Sequence, residues 1–216
     1  EHKKNKKYKE TSQKVAAADH PLTSARDFTN RETGWLNFNK RVLNEAEDPR
    51  TPLLEAIKFL SICGSNMDEF FMKRVGRLKR HVAFGLTPKS SDGQTPIEQL
   101  NVIRGIVSPM LLQMAECFKK LKTKLEKENI FLLKWDDFTA KEKENIKTYY
   151  AKNVFPVLTP LSVDPGHPFP FISNLSTSLG VTLKHPDREE KLFARVKIPK
   201  VLPQWIRVES ERSGQV

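Results

Sequence analysis

Apolar residues recur at helical spacing through the first half of the chain. Around residues 31–47 they lie three or four positions apart, and Asp48-Pro49 closes the pattern, because the residue before a proline is pushed out of the helical region. A second apolar period follows Pro52, which suits the first turn of a helix, and runs as far as Gly64. The residues that form these two patterns are Trp35, Phe38, Val42, Leu43 and Ala46, then Leu53, Leu54, Ile57 and Leu60. Two successive amphipathic helices are predicted.

A third helix is predicted to restart at Ser65 after a break at Gly64. Ser65 and Asp68 have the spacing of a capping box, in which the side chains at the two positions satisfy each other's backbone amides. Residues placed at steps of ~100° then divide into a core face and an opposite polar face. The core face consists of Met67, Phe71, Val75, Leu78 and Val82, and the polar face of Asn66, Glu69, Lys73, Gly76, Arg77 and Arg80.

A long apolar stripe follows a loop rich in Pro, Ser, Asp and Gly over residues 86–96. The stripe runs to about Glu128, and Pro109 lies within it, so we expect the helix to be kinked or divided there. Its members are Ile103, Ile106, Val107, Met110, Leu111, Met114, Phe118, Leu121 and Leu125. The chain up to this point is therefore predicted to form an all-helical bundle.

The pattern changes near Asn129. An apolar run suited to a strand or an extended linker precedes one more helix, which Thr139 is placed to cap. Five prolines between residues 156 and 170 then exclude a regular helix and indicate an extended segment with turns. Beyond them, LGVTLKH and KLFARVKIP flank a polar stretch, which is the pattern of a β-hairpin.

These patterns predict an α+β fold in three parts. Residues 1–24 are expected to be a basic, flexible tail, residues 25–128 a helical bundle domain, and residues 129–216 the start of a mixed α/β head domain. Two strands and one helix cannot bury a core of their own, so we expect this second domain to be incomplete.

The charge balance favours polyanionic partners. The 37 Lys and Arg residues exceed the 26 Asp and Glu residues, which gives a net charge of +11. Nucleic acid, nucleotide, polyphosphate and anionic lipid all remain candidates, because net charge selects a class of partner and not a member of it. Part of the excess lies in the lysine-rich tail, where it need only keep a terminus solvated.

Several kinds of site are not supported by the sequence. Cys63 and Cys117 lie far apart in predicted helices, outside any metal-binding spacing, and are expected to be small buried apolar residues of a reducing compartment. The sequence contains no phosphate-loop, dinucleotide or zinc-protease motif and no apolar run near the ~20 residues that span a bilayer. His167 has no partner at a recognisable catalytic spacing, and its proline neighbours favour a structural role.

Asn66 is the one residue of the third helix that neither capping nor core packing explains. An exposed polar residue is the simpler interpretation on residue type alone. Asp68 and Glu69 already supply negative charge to this predicted helix start, so a second anion would be repelled there. A ligand of Asn66 should therefore present a neutral hydrogen-bonding group, with Lys73, Arg77 and Arg80 free to attract an anionic remainder.

Several ordered motifs resemble the bacterial family-1 polyphosphate kinases over roughly residues 28–203. The earlier motifs resemble that family's N-terminal domain, and the later ones resemble the start of its head domain. The earlier motifs are Asn30-Arg31-Glu32, Trp35-Leu36-x-Phe38-Asn39-x-Arg41-Val42-Leu43-x-Glu45-Ala46, Pro52-Leu53-Leu54-Glu55, Lys58-Phe59-Leu60 and Asn66-x-Asp68-Glu69-Phe70-Phe71. The later motifs are residues 154–161, Asp164-Pro165-x-His167-Pro168-Phe169-Pro170-Phe171 and Phe193-Ala194-Arg195-Val196-Lys197.

The resemblance implies an enzyme that reversibly transfers the terminal phosphoryl group of ATP to inorganic polyphosphate, through a phosphohistidine and with Mg²⁺. It implies an ATP-binding role for Asn66 and no catalytic or metal-binding residue in this chain. The histidines, which are His2, His20, His81, His167 and His185, match no phosphate-carrying position of the family. The chain is therefore expected to be an N-terminal piece of the enzyme and inactive by itself.

The resemblance also implies ATP, ADP and polyphosphate as partners, and a homodimer or larger homo-oligomer to which the head domain contributes contacts. We expect a cytoplasmic location, with membrane association left open. The competing hypothesis is a non-enzymatic basic helical module that binds nucleic acid or another polyanion. It rests on the net charge of +11 and the cations of the third helix, but no recognised nucleic-acid-binding motif supports it.

Overall fold

The computed structural model describes residues 24–184 and 191–208. Within these residues, helices form the first part and a small antiparallel sheet follows. The five α-helices of the described residues are α1 (Arg31–Glu47), α2 (Leu53–Glu69), α3 (Gly76–Ala83), α4 (Pro96–Lys127) and α5 (Ala140–Tyr149). Short 3-10 turns cover Ala25–Asp27, Trp135–Asp137 and Phe155–Val157, and π-helical turns cover Phe70–Val75 and Tyr150–Val154. The predicted α+β class is confirmed, whereas the predicted tail lies almost wholly outside the described residues.

Helix α1 begins where Asn30 caps it. The Asn30 Oδ1 atom accepts hydrogen bonds from the backbone amides of Glu32 and Thr33, at 2.9 and 3.2 Å. Its Nδ2 atom donates to Asp92 Oδ1 at 3.0 Å, which ties the start of α1 to the loop before α4. The buried face of α1 differs from the predicted stripe, because it includes two polar residues and leaves Phe38 exposed. The buried residues of α1 are Glu32, Leu36, Asn39, Leu43 and Ala46.

The predicted break at Gly64 is wrong. Helix α2 continues through Gly64 to Glu69, so Ser65 lies inside the helix and does not cap it. A mid-helix glycine costs about 1 kcal/mol relative to alanine, and the packing of buried Cys63 and Met67 on either side outweighs that cost. Pro52 is the cap residue of α2 and not its first helical residue.

The π-helical turn Phe70–Val75 changes which residues reach the core. A π turn inserts an extra residue into the helix, so side chains beyond it rotate relative to a regular helical wheel. Phe70 is buried at 1% exposure and stacks on Trp35, with ring centroids 4.8 Å apart. Phe71 and Val82, both predicted for the core, are exposed at 42% and 40%. The core positions of Met67, Val75 and Leu78 are confirmed.

Helix α4 is undivided across Pro109. Thr95 and Glu98 form a capping box at its start, with Pro96 as the first helical residue. A proline in a helix interior costs about 3 kcal/mol, and here buried side chains on both sides of Pro109 hold one continuous helix against the bundle. The buried residues of α4 are Pro96, Gln99, Ile103, Val107, Met110, Cys117, Leu121 and Leu125. Cys63 and Cys117 are both buried free thiols, as predicted.

The second part of the chain contains α5 and a three-stranded sheet. Thr139 caps α5, as predicted, and it also forms a capping box with Glu142. Strands β2 (Ser178–Lys184) and β3 (Lys191–Lys197) pair antiparallel, which confirms the predicted hairpin. Residues 185–190, the predicted hairpin loop, lie outside the described residues.

A third strand, β1 (Pro160–Val163), was not predicted. It pairs antiparallel with β3, so the order in the sheet is β1-β3-β2. Pro160 is the first residue of this edge strand, where a missing amide hydrogen is tolerated. The prolines in this segment therefore gave no sign of a strand, and β1 is recognised only from its pairing with β3. Within the described residues, no helix combines the length and the apolar character needed to cross a membrane.

We predict that Phe70→Ala destabilises the helical part far more than Phe71→Ala. Removing the buried Phe70 ring should lower the free energy of unfolding by about 3–5 kcal/mol. The Phe71 change should cost about 1 kcal/mol or less, because that ring is largely exposed. Urea unfolding followed by circular dichroism measures both. A larger loss for Phe71→Ala would show that the regular helical wheel, without the π turn, describes this segment in solution.

Candidate functional site

An open pocket lies where the first turns of α1 meet the end of α2 and the π-helical turn. Its volume is about 340 Å³, which is at the lower end of the ~300–1,000 Å³ typical of small-molecule sites. The lining residues are Arg31, Glu32, Trp35, Asn66, Glu69, Phe70, Lys73, Arg74 and Arg77. We call this cavity the Asn66 pocket. It combines aromatic surface, an amide and an excess of cationic side chains.

Asn66 lines this pocket but is not a freely exposed residue. Its Nδ2 atom donates a hydrogen bond to Asn39 Oδ1 at 2.9 Å. Asn39 is fully buried, and its own Nδ2 atom donates to the backbone carbonyl of Cys63 at 3.1 Å. The prediction that Asn66 projects away from the core is therefore wrong for one end of its side chain. The amide joins the core to the pocket.

Glu32 is a carboxylate buried at 2% exposure in the wall of the Asn66 pocket. Its Oε2 atom accepts from Arg74 at 2.8 Å, and its Oε1 atom accepts from Arg77 at 3.2 Å. The Arg74 guanidinium also lies over the Trp35 ring, 5.6 Å from the ring centroid. A buried carboxylate is costly unless it is paired, so Glu32 holds both guanidinium groups at the pocket.

The cations of the site differ from the predicted set. Lys73 and Arg77 line the pocket as expected, but neither is unpaired, because Lys73 forms an ion pair with Glu69 and Arg77 forms one with Glu32. Arg80 is not among the lining residues. Arg31 lines the pocket and, within the part of the chain that the structure describes, has no carboxylate within ion-pair distance. Arg31 is therefore the pocket cation most available to an anion.

Sequence reasoning missed Glu32, Asn39, Trp35 and Arg74 as parts of the site. The signal for two of them was present, because Glu32 and Asn39 share the 3–4 residue spacing of Leu36 and Leu43. Polar residues on an apolar stripe are either buried with partners or displaced from it. The position of Arg74 depends on the π turn, which the spacing of apolar residues does not reveal.

His167 has an acidic partner that its sequence neighbours did not indicate, but the contact is local and agrees with the structural role predicted for it. Its Nδ1 atom lies 3.0 Å from Asp164 Oδ1. The same oxygen accepts from the backbone amides of Gly166 and His167, each at 2.9 Å. The hydrogen bond from His167, followed by these backbone hydrogen bonds, lowers the pKa of Asp164. The pair is exposed and closes the turn that follows β1, so these contacts give His167 a local structural role.

The described residues do not provide a metal centre or a reactive thiol. Within ranges 24–184 and 191–208, no group of three or more His, Cys, Asp and Glu side chains is placed to hold a metal ion. The two carboxylates of the Asn66 pocket are each paired with cations. Burial raises the pKa of the Cys63 thiol to about 11, so this thiol is not a nucleophile at neutral pH.

We predict that Glu32→Gln lowers the free energy of unfolding by about 1–3 kcal/mol, because both arginines lose their carboxylate partner. The matched control is Glu55→Gln, which removes an exposed ion pair with Lys58 and should cost at most about 0.5 kcal/mol. Urea unfolding of both variants measures the difference. A loss in Glu32→Gln as small as the loss expected of the control would mean that the buried pairs stabilise the fold no more than an exposed pair does.

Comparisons with known proteins place these features in a family. Residues 28–133 match the sequence model of the polyphosphate kinase N-terminal domain, and residues 141–216 match that of the polyphosphate kinase middle domain. The chain is 50% identical over 180 residues to a polyphosphate kinase of Synechocystis, covering 83% of this chain and 25% of that protein. It is 44% identical over 191 residues to a polyphosphate kinase of Mycolicibacterium gilvum, covering 88% of this chain and 26% of that protein.

A solved structure gives the same result. The crystal structure of polyphosphate kinase from Porphyromonas gingivalis superposes with a TM-score of 0.65 at 27% identity, covering 85% of this chain and 27% of that one. The chain thus spans about a quarter of the length of the relatives it matches. With two successive domains matched along most of its length, the chain belongs to the polyphosphate kinase family.

Proposed function

We propose that this chain serves as the N-terminal part of a polyphosphate kinase, which reversibly transfers the terminal phosphoryl group of ATP to inorganic polyphosphate through a phosphohistidine. In this proposal the chain supplies one wall of the ATP site. The Asn66 pocket is the observation that supports it. One amide held in place from the core lies there beside several cations, an arrangement that suits a ligand with a neutral part and an anionic part.

Asn66 is the residue proposed to contact the neutral part of ATP. One N–H of its Nδ2 atom is donated to Asn39, and the carbonyl oxygen of the side chain, which accepts no hydrogen bond from the described residues, remains for a ligand. The nearby aromatic surface is not arranged to sandwich a base, because Trp35 and Phe70 stack on each other. We therefore expect the nucleoside to lie along this wall, with its opposite face closed by another part of the complete enzyme.

The cationic side chains are proposed to attract the phosphates. Four cationic and two acidic residues line the pocket, so its net charge is positive. The side chain of Arg77 is 49% exposed even while it pairs with Glu32, so its guanidinium group can also contact a phosphate. Arg31 requires no competing carboxylate to be displaced. These two arginines are the first candidates for phosphate contact.

Magnesium is implied by the family, but the described residues do not fit a site for it. The two pocket carboxylates that could ligate a hard cation are held by Lys73, Arg74 and Arg77. We propose that Mg²⁺ reaches this site only with the phosphates of ATP. We also propose that the complete enzyme is a cytoplasmic homodimer or larger homo-oligomer, as the family resemblance implies.

We predict that the purified 216-residue chain makes no polyphosphate from ATP and Mg²⁺. Phosphoryl transfer requires a positioned nucleophile and a cationic clamp on the transferred group, and this chain is proposed to supply only one wall of the nucleotide site. Incubation with radiolabelled ATP, followed by gel separation of polymer, measures the activity. A complete polyphosphate kinase that contains this chain is the positive control. Polymer formed by the 216-residue chain alone would contradict the proposal.

We predict that Asn66→Ala in the complete enzyme raises the KM for ATP about three- to tenfold, because one neutral hydrogen bond is lost. The change also leaves the buried Asn39 Oδ1 atom without its donor, so we expect a lower melting temperature as well. The matched control is Asn37→Ala, an exposed residue of α1 that does not line the pocket. An unchanged KM for ATP in the folded Asn66 variant would remove Asn66 from the site.

A further inference from the structure

The orientation of the Asn66 amide is decided by a backbone carbonyl in the core. The carbonyl oxygen of Cys63 can only accept a hydrogen bond, so the atom of Asn39 that faces it at 3.1 Å must be the Nδ2 donor. The other end of the same amide, Asn39 Oδ1, must then face Asn66. Because this oxygen can only accept, Asn66 must present its own Nδ2 atom, which lies 2.9 Å away. The Cys63 carbonyl thus fixes the orientation of the Asn39 amide, and the Asn39 amide fixes that of Asn66.

Reversal of either amide would be costly. Asn39 is fully buried, so water cannot satisfy its polar atoms if they are turned. A flipped Asn39 would bring its Oδ1 atom against the Cys63 carbonyl, and a flipped Asn66 would bring two amide oxygens together. Each error leaves buried polar groups unsatisfied, at about 1–3 kcal/mol.

The result of this chain of hydrogen bonds is that Asn66 holds the acceptor of its amide, the Oδ1 atom, in one place at the pocket. Asn66 Oδ1 receives no hydrogen bond from any residue that the structure describes, and it is not fully buried. It is therefore open to the cavity that Asn66 lines. A free asparagine could rotate to exchange its oxygen and nitrogen, whereas this one keeps its Oδ1 acceptor in a fixed place, with one N–H of Nδ2 committed to Asn39.

We propose that Asn39 is a positioning residue, which locks the Asn66 carbonyl oxygen toward the pocket and thereby makes the site select a ligand with a neutral hydrogen-bond donor. This inference rests on the proposed nucleotide role of the pocket. In ATP, such a donor is either the 6-amino group of the base or a hydroxyl group of the ribose. The two sources share the same chemistry at Asn66, and analogues that lack one or the other distinguish them.

The experiment measures nucleotide selectivity in the complete polyphosphate kinase that contains this chain. The ligands are ATP, purine riboside triphosphate, which lacks the 6-amino group, and the 2′-deoxy and 3′-deoxy forms of ATP. The quantity compared is the KM for each analogue divided by the KM for ATP. We expect one analogue class to show a ratio of about five to ten, since one neutral hydrogen bond is lost. Equal KM values for all four ligands would overturn the inference without requiring any variant.

Two substitutions at Asn39 separate orientation from stability. Asn39→Leu removes the acceptor, frees the Asn66 amide to rotate, and should reduce that KM ratio to about two. Asn39→Asp retains an acceptor for Asn66 Nδ2 while placing a carboxylate oxygen against the Cys63 carbonyl. It should therefore keep the wild-type ratio although its melting temperature falls. Loss of selectivity in Asn39→Asp, or full selectivity in Asn39→Leu, would contradict the role of Asn39.

The matched control is Gln99→Leu, which removes another buried amide of the helical part without contact to Asn66. It should lower the melting temperature and leave the KM ratio unchanged. A changed ratio in Gln99→Leu would show that selectivity follows general stability, which would overturn the inference. Failure of the wild-type enzyme to use or bind any of the four nucleotides would instead contradict the proposed function, so the two failures are distinguishable.

Discussion

A carboxylate buried against the helical core has to be neutralised, and this requirement shapes the region around Glu32. The first turn of α1 carries Glu32 inward, where its negative charge must either be paired with cations or be lost by protonation. Arg74 provides one from within the π-helical turn, and Arg77 provides the other from the first turn of α3. Arg74 also lies over Trp35, and Trp35 stacks on Phe70. The ion pair and the aromatic contacts therefore hold the same junction, between α1 and the π-helical turn.

Contacts at this junction also explain why the polar groups that line the Asn66 pocket have fixed orientations. Glu32 and Asn39 lie on the buried stripe of α1, and each reaches across to a side chain of the following helical segments. One holds guanidinium groups, and the other holds an amide. Fully satisfied buried polar groups rigidify their surroundings, since any rearrangement would leave an unpaired group behind. The helical part is therefore a scaffold that presents fixed hydrogen-bonding atoms at its surface.

In the second part of the chain, a buried arginine side chain likewise holds neighbouring segments to the sheet. Arg195 of β3 is buried at 5% exposure, where its Nε atom donates to Ser178 Oγ and its Nη1 atom donates to the carbonyl of Phe171, both at 3.1 Å. The first bond joins β3 to β2, and the second joins β3 to the proline-rich segment. A segment whose prolines remove backbone donors is thus attached through a side chain.

The sequence by itself determined the helical class of the first part, the hairpin formed by β2 and β3, the burial of Cys63 and Cys117, and the family. These follow from periodicity, turn chemistry and ordered motifs, which are local properties of the chain. Only the tertiary structure decided that α2 passes through Gly64, that Phe70 and not Phe71 enters the core, and that Asn66 is held by Asn39. Those outcomes depend on packing between segments distant in sequence, which outweighs local propensities of about 1 kcal/mol.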